Sequence, residues 1–359
     1  MKRILVCAFL AMSLFITGCG ASASGDTTSG DSASSDGSTS SAASDEGYSA
    51  QVFAMDTYMT VTAYGENGED AVEAAVEEIN RLDALFSVGE ADSDISVINA
   101  NGGGTVSEET AYLIARALEI YDMTDGAFDI SIYPVMDLWG FTTEEYAVPD
   151  DTSLAEALSL VDASQISVNE ETGEVTFGID GMEIDLGGIA KGYTSARIMD
   201  IFEEYGVESG LVSLGGNVQL YGTKTDGSDW KVAIQNPDES EDYLCVLEDA
   251  DVAVITSGGY ERYFEEDGVT YHHIIDPQTG YPAESGLLSV TIVSTDGTLA
   301  DGLSTSLYIM GLDEAISFWQ AHNQAFDVIL YTDDGTLYVS EGIADQVSTS
   351  LDCTVITAE

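Results

Sequence analysis

Apolar positions recur along this chain with two different periods, and the period changes often. Across residues 70–86, Val72, Val76, Ile79, Leu82 and Phe86 return every three or four positions, which predicts an amphipathic helix. Residues 107–122 repeat the pattern, with Leu113, Ala117, Leu118 and Tyr121 inward and Ser107 placed to cap the first turn. Residues 190–205, 300–310 and 313–322 read as three more helices. Between them lie short runs of β-branched and aromatic residues. Residues 52–63 read as one strand, 166–184 as a hairpin turning at Glu171-Thr172-Gly173, and 211–221 as two strands about Gly215-Gly216. Residues 252–256, 288–294, 327–332 and 336–340 are further strands. The order shows no steady strand–helix alternation and no internal repeat. It predicts an α+β fold of mixed or antiparallel sheets with packed helices.

The first 47 residues do not share this pattern. Lys2 and Arg3 precede an apolar run over residues 4–16, too short to span a bilayer and suited to a signal peptide. Ile16-Thr17-Gly18-Cys19 resembles a bacterial lipobox, which implies cleavage after residue 18 and lipidation of Cys19. Residues 20–47 contain only Gly, Ala, Ser, Thr, Asp and Glu, the composition of a flexible tether. The expected layout is a signal peptide (1–18), a lipidated Cys19 with its tether (19–47), and one body (48–359). Anchor and tether place that body on the extracytoplasmic face of a bacterial cell membrane, held there by lipid alone.

Composition narrows the function. The 359 residues carry 9 Lys and Arg against 65 Asp and Glu, a formal charge of −56. Such a surface excludes a nucleic-acid binder, which needs clustered cations to displace phosphate counterions. Carboxylates can instead hold a divalent cation. Beyond Cys7 and Cys19, only Cys245 and Cys353 remain, in strand-like segments, either as a pair or as two buried free thiols.

Four segments carry chemistry. In Asp185-Leu186-Gly187-Gly188-Ile189-Ala190-Lys191 a strand ends, two glycines turn and a helix begins, leaving backbone N–H groups for phosphate with Lys191 nearby. The spacing is not that of a Walker loop. Ser257-Gly258-Gly259-Tyr260-Glu261-Arg262-Tyr263-Phe264 sets an Arg among aromatics after a glycine turn. In Tyr271-His272-His273-Ile274-Ile275-Asp276-Pro277 two histidines sit side by side and point to opposite faces of a strand. Either suits proton transfer near neutrality; Asp276 reads as a turn cap. In Asp301-Gly302-Leu303-Ser304-Thr305 a carboxylate and a hydroxyl share one helix face, hard oxygen ligands suited to Mg²⁺, with Asp301 as a plain N-cap the competing reading.

Together with Leu85-Phe86-Ser87, Asp92-Ser93, Gly126-Ala127-Phe128-Asp129-Ile130-Ser131 and Leu138-Trp139-Gly140-Phe141, these segments resemble the ApbE family of FAD:protein FMN transferases over residues 52–326. The resemblance implies an ApbE-like, T-fold-related body that uses Mg²⁺ and takes FAD as substrate. Its reaction joins FMN through phosphate to a Ser or Thr hydroxyl of an exported acceptor bearing a Ser/Thr-Gly-Ala-Ser/Thr-like segment, with AMP released. By matched position, Asp301, Thr305 and the carbonyl of Gly188 correspond to metal ligands. Met55, Ala127, Phe128, Asp129, Asp185, Lys191 and Ile275 correspond to FAD contacts, and His273 to the proton acceptor.

Two departures stand out. Met55-Asp56-Thr57 replaces the family's Met-Gly-Thr, and Gly89 stands where an aromatic is common, leaving Tyr58 or Tyr260 to supply that wall of the flavin pocket. They keep open a non-catalytic flavin-binding lipoprotein; the other alternative is a Mg²⁺-dependent FAD pyrophosphatase, which some relatives resemble and which uses the same site with water in place of the hydroxyl.

Overall fold

A computed structural model describes residues 47–237 and 242–358. The signal peptide, Cys19 and nearly all of the tether lie outside these residues.

A nine-stranded sheet organises the body. In spatial order it runs β1 (Gly47–Ala54), β2 (Thr57–Tyr64), β6 (Ser209–Leu214), β7 (Asn217–Tyr221), β10 (Ala253–Gly258), β13 (Leu287–Ser294), β14 (Asp327–Thr332), β15 (Leu337–Ser340) and β17 (Cys353–Ile356). Every pairing is antiparallel except the last, β15 with β17. This is the α+β, predominantly antiparallel architecture that the pattern predicts.

Helices cover one face. α1 (Gly68–Phe86) and α6 (Ala190–Tyr205) pack Ala71, Val72, Ala75, Ile79, Ile198 and Phe202 onto Met59, Val61, Val212 and Leu214. α7 (Gly297–Met310) and α8 (Leu312–His322) cover the middle of the sheet, where Leu303, Leu307 and Trp319 join Ile255, Val290, Ile292 and Leu330, and α3 (Glu108–Met123) packs on α7. The other face is covered only in part, by a small sheet of β16 (Val347–Ser348), β9 (Tyr243–Asp249) and β8 (Trp230–Gln235). Its Trp230, Val232, Leu244 and Leu247 meet Val254, Val293, Ile329 and Val339. Neighbours such as Ile292 and Val293 thus face opposite layers, and β13 is buried along almost its whole length.

Satellite elements finish the body: α2 (Asp94–Asn101); α4 (Tyr133–Trp139); α5 (Asp151–Leu158); a sheet of β3 (Gly103–Thr105), β5 (Glu174–Phe177) and β4 (Ile166–Asn169); and the hairpin of β11 (Tyr263–Glu266) and β12 (Val269–His272). Ions tie α1, α3 and α6 together: Arg81 reaches Glu78 and Glu109 at 2.7 Å each, and the Tyr193 hydroxyl donates to Glu109 at 2.6 Å.

Three expectations need correction. Residues 52–63 are two strands, not one. Ala54 pairs with Thr57 across Met55 and Asp56, both left-handed at φ 48° and 58°. That is the two-residue turn whose twist matches a hairpin, built here without glycine. Asp301 is not an N-cap. α7 starts earlier than the apolar pattern indicates, with the Asp296 side chain accepting from the Leu299 N–H, and Asp301 falls in the second turn. The cysteines are both free, but only Cys245 is buried; Cys353 is exposed.

Candidate active site

The site forms where α6 begins against α7. Gly192 makes that crossing possible, because a Cβ there would lie 2.6 Å from the Cβ of Asp301 and would strike the carbonyl of Gly297. With no side chain between them, the Gly192 N–H donates to Asp301 Oδ2 at 2.7 Å. Asp301 is only 4% exposed, and burial pushes its carboxyl up, opposed by the charge of Lys191. Thr305 follows one turn later, its hydroxyl 3.3 Å from Ser257 Oγ. The buried Nδ2 of Asn217 lies close enough to Asp301 to favour its charged form, in poor hydrogen-bond geometry. A buried carboxylate with only a backbone N–H and this amide beside it favours a cation there. The Asp301 carboxylate and the Thr305 hydroxyl, one turn apart on α7, are hard oxygen donors whose chemistry fits Mg²⁺; the Gly188 carbonyl would be the third of the expected set. Among the described residues no group of three or more acidic, His or Cys side chains could hold a metal. A metal held at Asp301 and Thr305 would take its remaining ligands from backbone carbonyls and from a bound substrate.

Around this floor the predicted nucleotide contacts divide into two kinds. Asp185 Oδ1 accepts from the Gly187 N–H at 2.8 Å, and burial raises its carboxyl, opposed by the charges of Arg262 and Lys191. Lys191 reaches only the Gly187 carbonyl, at 3.5 Å, so its ammonium is not committed to an ion pair. Asp129 behaves differently. Its Oδ1 accepts from the Ser131 N–H and hydroxyl, and Oδ2 from the Ala163 N–H. Both oxygens are spent on holding this loop, so its route to a ligand is the backbone. Ala127, Phe128 and Ile275 are buried, and Phe128 packs against Gly188, where a Cβ would come within 2.9 Å of the ring. Met55 is pinned at the opposite side: its N–H donates to Asp83 Oδ1 at 2.9 Å, and its sulfur faces the Thr194 hydroxyl at 3.8 Å.

The two histidines have different freedom. His272 Nδ1 accepts from the Ile274 N–H at 3.2 Å, so its Nε2, 3.2 Å from the Ala283 carbonyl, is the donor. Both ring nitrogens are occupied. His273 uses only Nδ1, donating to the Arg262 carbonyl at 3.1 Å, and leaves Nε2 without a protein partner among the described residues. Burial, then the charge of Arg262, lowers its pKa to about 3, so the imidazole is neutral. Asp276 is a turn cap, accepting from the Gln278 N–H and the Thr279 hydroxyl.

Glu261 is the residue that sequence reasoning passed over. Burial raises its carboxyl to about 7, against the charges of Lys191 and Arg262 and with that of Asp301. Its Oε1 occupies the space where a Cβ on Gly216 would stand, 3.0 Å away. The signal available was Glu261-Arg262 after a glycine turn in a chain with few cations. Of the two suggested pocket walls, Tyr260 is partly buried with Glu261 and Tyr308 among its neighbours. Tyr58 is 66% exposed and packs edge-on against Phe53.

Comparison with known proteins identifies the family of the chain. The sequence profile of the ApbE family matches residues 55–330. The FAD:protein FMN transferase of Treponema pallidum is 32% identical over 321 residues, covering 84% of this chain and 88% of that one. Its counterpart in Vibrio cholerae is 33% identical over 270 residues, covering 74% and 79%. Among solved structures, the ApbE protein of Thermotoga maritima superposes with a TM-score of 0.79 at 34% identity, covering 84% of this chain and 99% of that one. The flavin transferase ApbE of Vibrio cholerae gives 0.75 at 27% identity, with the same coverage. With profile, relatives and structures in agreement over most of the body, the chain belongs to the ApbE family.

Proposed function

We propose that this protein is an FAD:protein FMN transferase acting on exported acceptors. The acceptor's Ser or Thr oxygen attacks the phosphorus on the FMN side of the FAD pyrophosphate. The bridging P–O bond breaks, AMP leaves with its electron pair, and the hydroxyl proton passes to Nε2 of His273. A neutral imidazole with one free nitrogen is ready for that proton throughout the neutral range. Its weak basicity suits a loose transition state, in which the proton moves late. Asp301, Thr305 and the Gly188 carbonyl would hold Mg²⁺, which when bound neutralises charge building on the pyrophosphate oxygens. Lys191 would attract the same phosphates by charge; contrary to the sequence expectation, the N–H groups of Gly187, Ala190 and Gly192 are already engaged, by Asp185, the Leu186 carbonyl and Asp301. Met55, Asp185, Ile275 and the backbone of 127–129 frame the dinucleotide.

The observation that supports this reading best is the crossing of α6 and α7, where the Gly192 N–H meets the buried carboxylate of Asp301, Lys191 acts on it by charge, and Thr305 lies one turn further along α7. The acceptors would bear a Ser/Thr-Gly-Ala-Ser/Thr-like segment. Lipidation at Cys19 would hold the enzyme on the extracytoplasmic face of the bacterial membrane; among the described residues no helix is long and apolar enough to cross one. The test is incubation with FAD, Mg²⁺ and exported proteins bearing that segment, followed by mass spectrometry for a phosphoester-linked FMN. Absence of any adduct while FAD still binds overturns the proposal. AMP and free FMN appearing without acceptor would point to the pyrophosphatase.

A further inference from the structure

The nine-stranded sheet leaves one area bare. Its helix face is covered from β1 to β14, and the β8–β9–β16 sheet covers the other face over β7, β10 and β13–β15. At the tip of β1 and β2 that second face has no cover among the described residues. Phe53 and Tyr58, directly opposite in the register, stand there 60% and 66% exposed. They are the two most exposed large apolar side chains described. Their rings meet at 5.1 Å and 70°, a firm edge-to-face pair rather than two loose side chains.

This patch is continuous with the site. Only Ala54 lies between Phe53 and Met55, which opens the turn. The exposed Asp56 is close enough to act on the carboxyl of Asp185 and on Tyr146, both beside Arg262. Thr57 packs against Gly215 of the β6–β7 turn, whose next residue abuts Glu261. Charge restricts the visitor. The chain carries −56, and Arg81, Arg116, Arg197 and Lys231 are each engaged by carboxylates. An acidic partner is repelled, whereas an aromatic pair beside a lone carboxylate suits an apolar side chain next to a Lys or Arg.

We infer that the open tip of β1 and β2, carrying Phe53, Tyr58 and Asp56, is the docking surface for the acceptor protein. It selects acceptors with an apolar residue two or three positions from the modified hydroxyl and a basic residue beside it. The inference rests on the transferase reading above.

The test uses the full chain with FAD and Mg²⁺ and two synthetic peptides sharing a Ser-Gly-Ala-Thr core. One continues with Leu and Lys two and three positions beyond the Thr, the other with Ser and Glu. Wild type should favour the first at least tenfold in kcat/KM, mostly through KM. Phe53→Ser and Asp56→Asn should each erode that preference with FAD affinity unchanged. Phe53→Leu should keep it, and Asn tolerates the left-handed backbone at 56, so the fold is preserved. Equal rates for the two peptides, or a preference that survives both variants, overturns the inference. So does a parallel fall in FAD affinity, or an effect of Phe53→Ser confined to phosphatidylcholine/phosphatidylglycerol vesicle binding or to self-association. Modification of an exported protein but of neither peptide defeats this surface alone. Modification of nothing defeats the transferase reading and this surface with it.

Discussion

The floor of the site and its lip are built by opposite means. At the floor, α6 and α7 approach so closely that only glycine fits at 192, and Asp301 is held by a backbone N–H in a nearly closed pocket. At the lip, the β1–β2 turn uses Met55 and Asp56 in left-handed conformations, and its neighbours Phe53 and Tyr58 stand in solvent. One region has no freedom left, and the other has freedom that nothing else in the body needs. In the proposed reaction the first kind would meet fixed phosphate oxygens and the second would meet varied acceptor proteins.

The largest break in this contrast should come from the floor. Asp301→Ala is expected to reduce Mg²⁺-dependent FMN transfer to background; unchanged activity at saturating Mg²⁺ would remove it from the ligand set. Next, His273→Ala should slow transfer by about 10²–10⁴-fold, whereas His272→Ala, whose nitrogens serve the fold, should cost far less. A reversed order in steady-state rates would mean the free Nε2 is not the acceptor. Glu261 supplies a third test, read in the metal-free protein. Its carboxyl titrates about 7 when folded and near the ordinary value of 4.5 when unfolded. Between those values the native state keeps a proton that the unfolded state has lost, so its contribution falls as pH rises through that window. Glu261→Gln should flatten this decline, by up to about 3 kcal/mol between pH 4.5 and 8 in urea titrations. An unaltered pH slope would show that Glu261 is better solvated than its burial suggests. The smallest effect belongs to the lip. Asp56→Gly removes a Cβ from a left-handed position and should raise stability by about 0.5–1 kcal/mol in thermal melts. A loss of stability instead would mean that the Asp56 side chain holds the turn.

What the sequence disclosed follows the same division. Residues 190–205 and 327–332 form their elements with the predicted ends, because periodicity is strong and a left-handed Gly206 stops the helix. The spacing of Asp301 and Thr305 was legible because a helix face is a local property. The Met55–Asp56 turn was not. No Gly, Pro or Asn marks it, and what fixes it is distant in sequence: Asp83 on the Met55 N–H and Thr194 on its sulfur. Glu261 was quoted within its motif yet given no role, since its significance arises only when folding brings it toward Lys191, Asp301 and Gly216. The short α2, α4 and α5 and the strands β8 and β9 carried too few turns of pattern to stand out before packing chose them.

The two body cysteines turn the sheet into a ruler. Burial pushes the Cys245 thiol up to about 12 and shields it, while Cys353 lies exposed on the last strand. A thiol-reactive dye therefore labels the body at Cys353. The seven strand spacings from β17 back to β2 amount to roughly 35 Å, a separation well suited to energy transfer. A flavin bound near Met55 would then report its own arrival, and its departure with the acceptor, as a change in the light from the opposite edge of the molecule.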